Sequence, residues 1–193
     1  MDGTIRIRAA EARDAATIAA VYAIYVRDTT VSFETEPPAP EEMGRRLAAI
    51  GARYPWLVAE QGGRVLGYAY AGEHRSRAAY RWDVDVAVYL AADAHRRGVG
   101  RRLYLALFEV LRRLGHVNAY AGIALPNDAS VGLHETLGFA PVGIYRQVGY
   151  KHGAWHDVGW WALALRPPPS NPAEPIPFPM LDHASLHALL ENA

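Results

Sequence analysis

Apolar and polar residues alternate through Thr4-Ile5-Arg6-Ile7-Arg8, which predicts a first strand. From Asp14 to Arg27 the period changes to a helical one. Ile18, Val21, Tyr22 and Tyr25 recur on one face, with Asp14 in the first turn. A polar bend from Asp28 to Pro40 follows, and Glu41 to Arg53 reads as a second helix. Trp56 to Glu60 and Val65 to Gly72 form a hairpin around Gly62-Gly63. The segment Glu73 to Arg81 is an arginine-rich loop with one tyrosine, and it leads into an apolar strand, Trp82 to Leu90. After the run His95-Arg96-Arg97-Gly98-Val99-Gly100-Arg101-Arg102 comes a long amphipathic helix. It buries Leu103, Leu107, Val110, Leu111 and Leu114, turns Arg101, Arg102, Glu109, Arg112 and Arg113 outward, and ends at Gly115. Val117 to Ile123 is another strand. Asn127 opens a short helix as an N-cap and Gly138 closes it. Strands Phe139 to Tyr150 and Trp155 to Leu165 meet at a turn over His152-Gly153. Strands and helices alternate, which indicates an α/β sheet protein.

At Pro167 the pattern stops. Pro167-Pro168-Pro169 and later prolines make an extended, stiff segment, with a small helix from Leu181 to Leu190. Residues 1–166 are read as the domain and 167–193 as a Pro-rich C-terminal tail outside the catalytic fold. Such a tail is either poorly ordered or packed on the domain or on a second subunit.

The chain has 193 residues, 51% of them hydrophobic, enough for one domain with a substantial core. Twenty basic and 20 acidic side chains balance, which argues against general nucleic-acid binding. With no cysteine, disulfides, thiolate catalysis and zinc-thiolate sites are excluded, and a reducing compartment is compatible. Asp2 and Glu11 interrupt any secretory pattern at the start. Ala15 to Val26 is shorter than the ~20 residues needed to span a bilayer. The expectation is a cytoplasmic protein with no membrane partner.

Candidate chemistry begins at the glycine turn. Strand, glycines and helix start aim backbone N–H groups at an anion. No Lys-Ser/Thr follows the second glycine, which excludes a nucleotide-hydrolase P-loop, and no third glycine stands at dinucleotide-fold spacing. Surrounded by arginines, the turn suits a pyrophosphate held without a metal. In the preceding strand Asp83, Asp85, Ala87 and Tyr89 share one face, and Trp82, Val84, Val86, Val88 and Leu90 the other. A carboxylate at Asp85 on a central strand needs either a wet pocket or a partner such as Arg77 or Arg81. His152 and His156 lie across a hairpin bend without a carboxylate cluster, so no metal site is expected.

The run from His95 to Gly100 resembles the Gln/Arg-x-x-Gly-x-Gly/Ala turn of the GNAT superfamily of N-acetyltransferases, with His95 in place of Gln or Arg. Five further stretches resemble its phosphinothricin N-acetyltransferase-like branch: Ser32 to Pro37, Tyr54 to Glu60, Gly67 to Gly72, Leu125 to Glu135 and Gly149 to Gly159. In order they span residues 4–166. The resemblance implies an α/β (α+β) fold with a mixed, mostly antiparallel splayed sheet, acetyl-CoA lying in the splay, an amine acceptor entering from the other side, and a homodimer.

It also implies roles. His95, Arg96, Arg97, Gly98, Val99, Gly100 and Arg101 would cradle the pyrophosphate. The backbone of Ala87, Val88, Tyr89 and Leu90 would pair with the pantetheine arm, an N–H near Val88 or Tyr89 polarising the thioester carbonyl. Asn127 and Ser130 would touch CoA, although Asn127 is equally a plain N-cap. Asp85 stands where the branch usually has Glu and is implied as general base, one methylene shorter and reaching through a water. His134, where many members place Tyr, is implied as proton donor to the leaving thiolate; a buried structural histidine is the alternative. Phe33, Arg75, Arg77, Tyr80 and Val158 would form the acceptor site, the arginines meeting an anionic group, although solvated surface arginines are the plainer alternative. The expected activity is acetyl transfer to a small anionic amino-acid analogue of the phosphinothricin or methionine sulfone and sulfoximine type. Another amine acceptor, or a CoA-binding module without activity, remains open.

Overall fold

The computed structural model describes residues 3–191. Its strands are β1 (Arg6–Ala9), β2 (Trp56–Gln61), β3 (Arg64–Glu73), β4 (Asp83–Leu90), β5 (Asn118–Leu125), β6 (Ala140–Lys151) and β7 (Ala154–Ala164). Its helices are α1 (Ala15–Asp28), α2 (Pro40–Gly51), α3 (Val99–Leu114), α4 (Asp128–Thr136) and α5 (His183–Glu191). The strands form one sheet in the order β1-β2-β3-β4-β5-β7-β6, antiparallel at every junction except the parallel β4–β5 seam.

Alternation along the strands divides the interior in two. Val84 and Val86 pack with Leu103, Leu107 and Leu111 of α3. On the opposite face Val58, Val65 and Tyr68 pack with Ile18, Val21 and Tyr22 of α1 and Met43 of α2, and Tyr89 joins them at the margin. Glycines in the left-handed conformation bound α3 at both ends, Gly98 at φ 76° and Gly115 at φ 99°.

The β4–β5 seam is short. Only Asp83↔Asn118, Val84↔Ala119 and Asp85↔Tyr120 pair. Each strand meanwhile stays on its other neighbour, β4 on β3 up to Gly67↔Leu90 and β5 on β7 up to Leu125↔Asp157. The two half-sheets therefore diverge as intact ladders, and the gap widens from Asp85 and Tyr120 outward.

The Pro-rich tail packs on the domain. Ile176 N–H donates to Leu114 O at 2.9 Å and Phe178 N–H to Arg53 O at 2.9 Å. Trp82 Nε1–H donates to Ala173 O at 2.8 Å, and Arg81 pairs with Glu174. Leu181 and Leu190 are buried in the core that α3 organises. The apolar residues of this segment supply what composition alone did not reveal, a surface able to offset the ordering of its chain.

Gly67 lets β3 approach β4. A Cβ there would lie 2.6 Å from Tyr89 O and 3.0 Å from Leu90 Cα, both backbone atoms. Gly67→Ala is expected to destabilise the fold by ~1–3 kcal/mol, the range for overpacking, read as a lower urea midpoint at unchanged slope.

Candidate active site

The gap is lined by Val86 and Val88 from β4, Ile123 from β5, Tyr104 from α3, and Asn127 and His134 at α4. Backbone parity decides what β4 presents to it. Ala91 N–H donates to Leu66 O, so by alternation Tyr89 and Ala87 exchange their bonds with β3. Val88 and Leu90 turn N–H and C=O into the opening, and Val86 its C=O, since its N–H closes the last rung of the seam. At Leu90 both groups are already held: Tyr25 Oη donates to Leu90 O at 2.7 Å and accepts from Leu90 N–H at 3.2 Å. Of the four residues expected to pair with an extended arm, Val88 alone offers a free backbone pair. Ala87 and Tyr89 line the opening with other atoms.

Beyond Leu90 the chain makes its glycine turn. His95 Nε2 bonds Tyr25 Oη at 3.1 Å. Since that hydroxyl gives its only proton to Leu90 O, His95 is the donor. Arg97 Nη2 donates to Gln61 Oε1 at 2.7 Å, while Arg96 and Arg101 are exposed. Arg96 (φ 59°) and Gly98 both adopt left-handed backbone. The first bond of α3 runs from Arg102 N–H to Gly98 O, so among the described residues nothing accepts from the N–H groups of Val99, Gly100 and Arg101. Space around Gly98 is open, whereas Gly100 packs against Leu133 and Leu90. Unclaimed donors at a helix N-terminus, ringed by arginines and continuous with the gap, fit an anionic head joined to a linear arm. Acetyl-CoA has this form.

Asn127 Oδ1 accepts from Ser130 N–H at 3.1 Å, so the N-cap expected from sequence is made. His134, on the same helix, is 3% exposed. Its Nδ1 bonds Ser130 O at 2.7 Å and must carry the proton; Nε2 then accepts from Tyr104 Oη at 3.0 Å. Burial holds the imidazole below its ordinary pKa, hence neutral at physiological pH. The ring has no unengaged N–H, so the proton of this pair next to the gap is the Tyr104 hydroxyl's.

At the closed end of the seam stands Asp85. Its Oδ1 lies 2.6 Å from His74 Nδ1. Neither arginine considered from sequence pairs with it: Arg81 turns to Glu174, and no bond joins Arg77 to Asp85. Asp83 accepts instead from Asn118 Nδ2 at 2.9 Å. Burial pushes Asp85 above the usual carboxylate range, against the lowering effect of the bonded His74. The His74 ring stacks on Tyr120 (4.3 Å, 15°) and meets Tyr80 and Trp160 edge-on. Arg75 lays its guanidinium 5.6 Å over Trp160. Arg75 and Tyr80 thus reach the surroundings of Asp85, whereas Arg77 is exposed just before the turn Ala78–Tyr80. Val158 is two residues from Trp160 and shares its face of β7, opposite Ala124.

Phe33 is carried on the loop between α1 and α2 and packs on Gly149, where any Cβ would collide with its ring. Lys151 fixes this loop. It is 6% exposed and donates through Nζ to Val26 O at 2.5 Å and Ser32 O at 2.7 Å. Sequence reasoning missed both Lys151 and His74. Gly72 pairs with Asp85 across the hairpin, so a histidine two residues past Gly72 was a readable signal. Lys151 left none, since its acceptors are main-chain atoms far along the chain. Among the described residues no cluster of three or more His, Asp or Glu side chains is arranged to hold a metal.

Residues 7–160 match the family model of the acetyltransferase (GNAT) domain. The chain belongs to the GNAT acetyltransferase family. It is 43% identical over 173 residues to the phosphinothricin N-acetyltransferase of Streptomyces viridochromogenes, covering 89% of this chain and 94% of that protein. It is 36% identical over 163 residues to the L-methionine sulfoximine/L-methionine sulfone acetyltransferase of Salmonella typhimurium, covering 82% and 94%. Among solved structures, the GNAT superfamily phosphinothricin acetyltransferase of Sinorhizobium meliloti in complex with acetyl-CoA superposes with a TM-score of 0.85 at 34% identity, over 90% of this chain and 95% of that one. The open seam and the anion-ready turn are thus features of a GNAT acetyltransferase domain.

The elevated Asp85 has a consequence for stability. A carboxyl whose folded pKa lies above its unfolded value destabilises the fold once pH exceeds the folded pKa, and has no such effect below the unfolded one. Asp85→Asn is therefore expected to unfold at higher denaturant than the parent at pH 7. The difference should shrink as pH falls toward 4, followed by urea titration at several pH values.

Proposed function

We propose that this GNAT domain is an acetyl-CoA-dependent N-acetyltransferase whose acceptor is the α-amine of a small anionic amino-acid analogue of the phosphinothricin or methionine sulfoximine and sulfone type. The observation that carries this reading is the seam itself. One end holds unclaimed N–H donors at Val99, Gly100 and Arg101, and the other a half-buried carboxylate beside Arg75. The relatives named for these acceptors support the acceptor class.

Acetyl-CoA, when bound, supplies an activated acetyl thioester. The residues of the chain do the rest. The turn from His95 to Arg101 and the capped start of α4, at Asn127 and Ser130, hold the anionic and polar parts of the co-substrate. The Val88 N–H faces the carbonyl to be polarised. An α-amine has a reference pKa of about 7.7–8.0 and is largely ammonium at neutral pH, so a proton must be removed before attack. The Asp85 centre, carboxylate and bonded imidazole together, draws that proton. Tyr104, bonded to His134, presents its hydroxyl toward the sulfur side. Arg75 and Arg77 meet the acceptor's anionic group, and Phe33, Tyr80 and Val158 wall its stem. Transfer is direct, and the chain has no cysteine to carry an acyl group.

We further propose a homodimer in the cytoplasm. The β6–β7 hairpin exposes Val142, Ile144, Tyr145, Val148, Tyr150 and Trp155, an apolar surface suited to a second copy. No described helix is long and apolar enough to cross a membrane.

Thiol release from acetyl-CoA is expected with phosphinothricin, methionine sulfoximine or methionine sulfone, and not with a polyamine or a peptide N-terminus. Arg75→Ala is expected to raise the acceptor KM about 10- to 100-fold, the equivalent of the ~1.5–3 kcal/mol typical of a charged hydrogen bond. No release with any amine despite acetyl-CoA binding would leave a binding module in place of the enzyme.

A further inference from the structure

Asp85 and His74 are arranged as a carboxylate behind an imidazole. The carboxylate takes Nδ1, so that nitrogen carries the ring proton and Nε2 keeps its lone pair. Nε2 has no hydrogen-bond partner among the described residues, and unlike the sealed indole nitrogens of Trp56 and Trp160 it is not closed off from solvent. Tyr120 fixes the ring plane by stacking, while Tyr80 and Trp160 close its edges. These contacts leave the imidazole at the last paired rung of the seam, Asp85↔Tyr120, where the gap begins.

We propose that His74 is the general base of the transfer, acting through Nε2, and that Asp85 is its positioning residue. This rests on the acetyltransferase reading above. The acceptor ammonium gives one proton to His74 Nε2, which later returns it to solvent. The freed nitrogen lone pair forms the N–C bond to the acetyl carbon as the C–S bond breaks, its electron pair leaving on sulfur. A second proton leaves the nitrogen and the thiolate takes up one, giving amide and thiol. Asp85 stays ionised and stabilises the imidazolium formed between the two proton transfers. The groups facing the imidazole are Asp85 from β4, Tyr120 from β5, Trp160 from β7, and Tyr80 and Arg75 from the loop.

Two measurements on the whole protein test this. Long-range nitrogen–proton NMR, with the His74 signals assigned by their absence in His74→Gln, is expected to show the neutral ring in its Nδ1-protonated tautomer. Asp85→Asn should weaken that preference. With phosphinothricin as acceptor, His74→Gln is expected to lower kcat about 10²- to 10⁴-fold, the usual span for a general base. Its acetyl-CoA affinity should stay within about twofold, and its rate should climb with pH as the amine deprotonates unaided. Added imidazole should restore part of the rate to His74→Ala, which a merely structural histidine would not allow. A parental kcat and pH profile in His74→Gln, with Asp85→Asn inactive, would make Asp85 the direct base and overturn the proposal. So would a neutral ring that carries its proton on Nε2. Absence of turnover in the parent with every amine is a different failure, that of the acetyltransferase reading.

Discussion

Two strands that pair over three residues and then part govern this molecule. A backbone N–H or C=O inside a sheet is ordinarily satisfied by its neighbour, and leaving one buried without a partner costs about 1–3 kcal/mol. The divergence of β4 and β5 creates such groups at Val86, Val88 and Leu90. The protein answers at Leu90 with its own Tyr25 hydroxyl and leaves Val88 for something else. The helix that follows repeats the situation, because the first N–H groups of α3 also lack acceptors. A ligand that is part polyanion and part extended amide chain completes both sets at once. That shared deficiency makes the seam a binding site and not a packing defect.

Burial then acts in opposite directions on two ionisable groups bordering the same opening. It pushes the Asp85 carboxyl up and the His134 imidazole down. In each case the charged form is disfavoured and a single hydrogen bond offers partial relief, His74 for the carboxylate and Ser130 O for the imidazole. Both groups are therefore held nearer their neutral forms than they would be in water. Tyr104 borders the same opening, and its hydroxyl proton is held by His134 Nε2.

Most of the framework was legible in the sequence. The alternation at residues 82–90, the helical period at 103–114 and the glycines at 98 and 115 each follow from local stereochemistry, and the strand faces fell as read. The glycine turn and the Asn127 cap were local as well. What escaped depended on contacts distant in the chain. His74 acquires its significance from a rung eleven residues away, and Lys151 from carbonyls 119 and 125 positions earlier. Which backbone groups of β4 remain free depends on hydrogen-bond parity with β3, and hydrophobic periodicity carries no information about that parity. His134 was located from the family motif, but only its partners show that both ring nitrogens are engaged.

The segment after Pro167 ties the fold together in an order unlike that of its synthesis. Leu181 and Leu190 belong to the same core as Ile7 of the first strand, and the carbonyl of Ala173 holds the indole of Trp82 at the entrance to β4. A nascent chain that has emerged only as far as β7 lacks both, although every strand is already present. Completion of the interior, and the anchoring of the stretch that leads into the seam, must wait until the residues from Ala173 to Leu190 have left the ribosome.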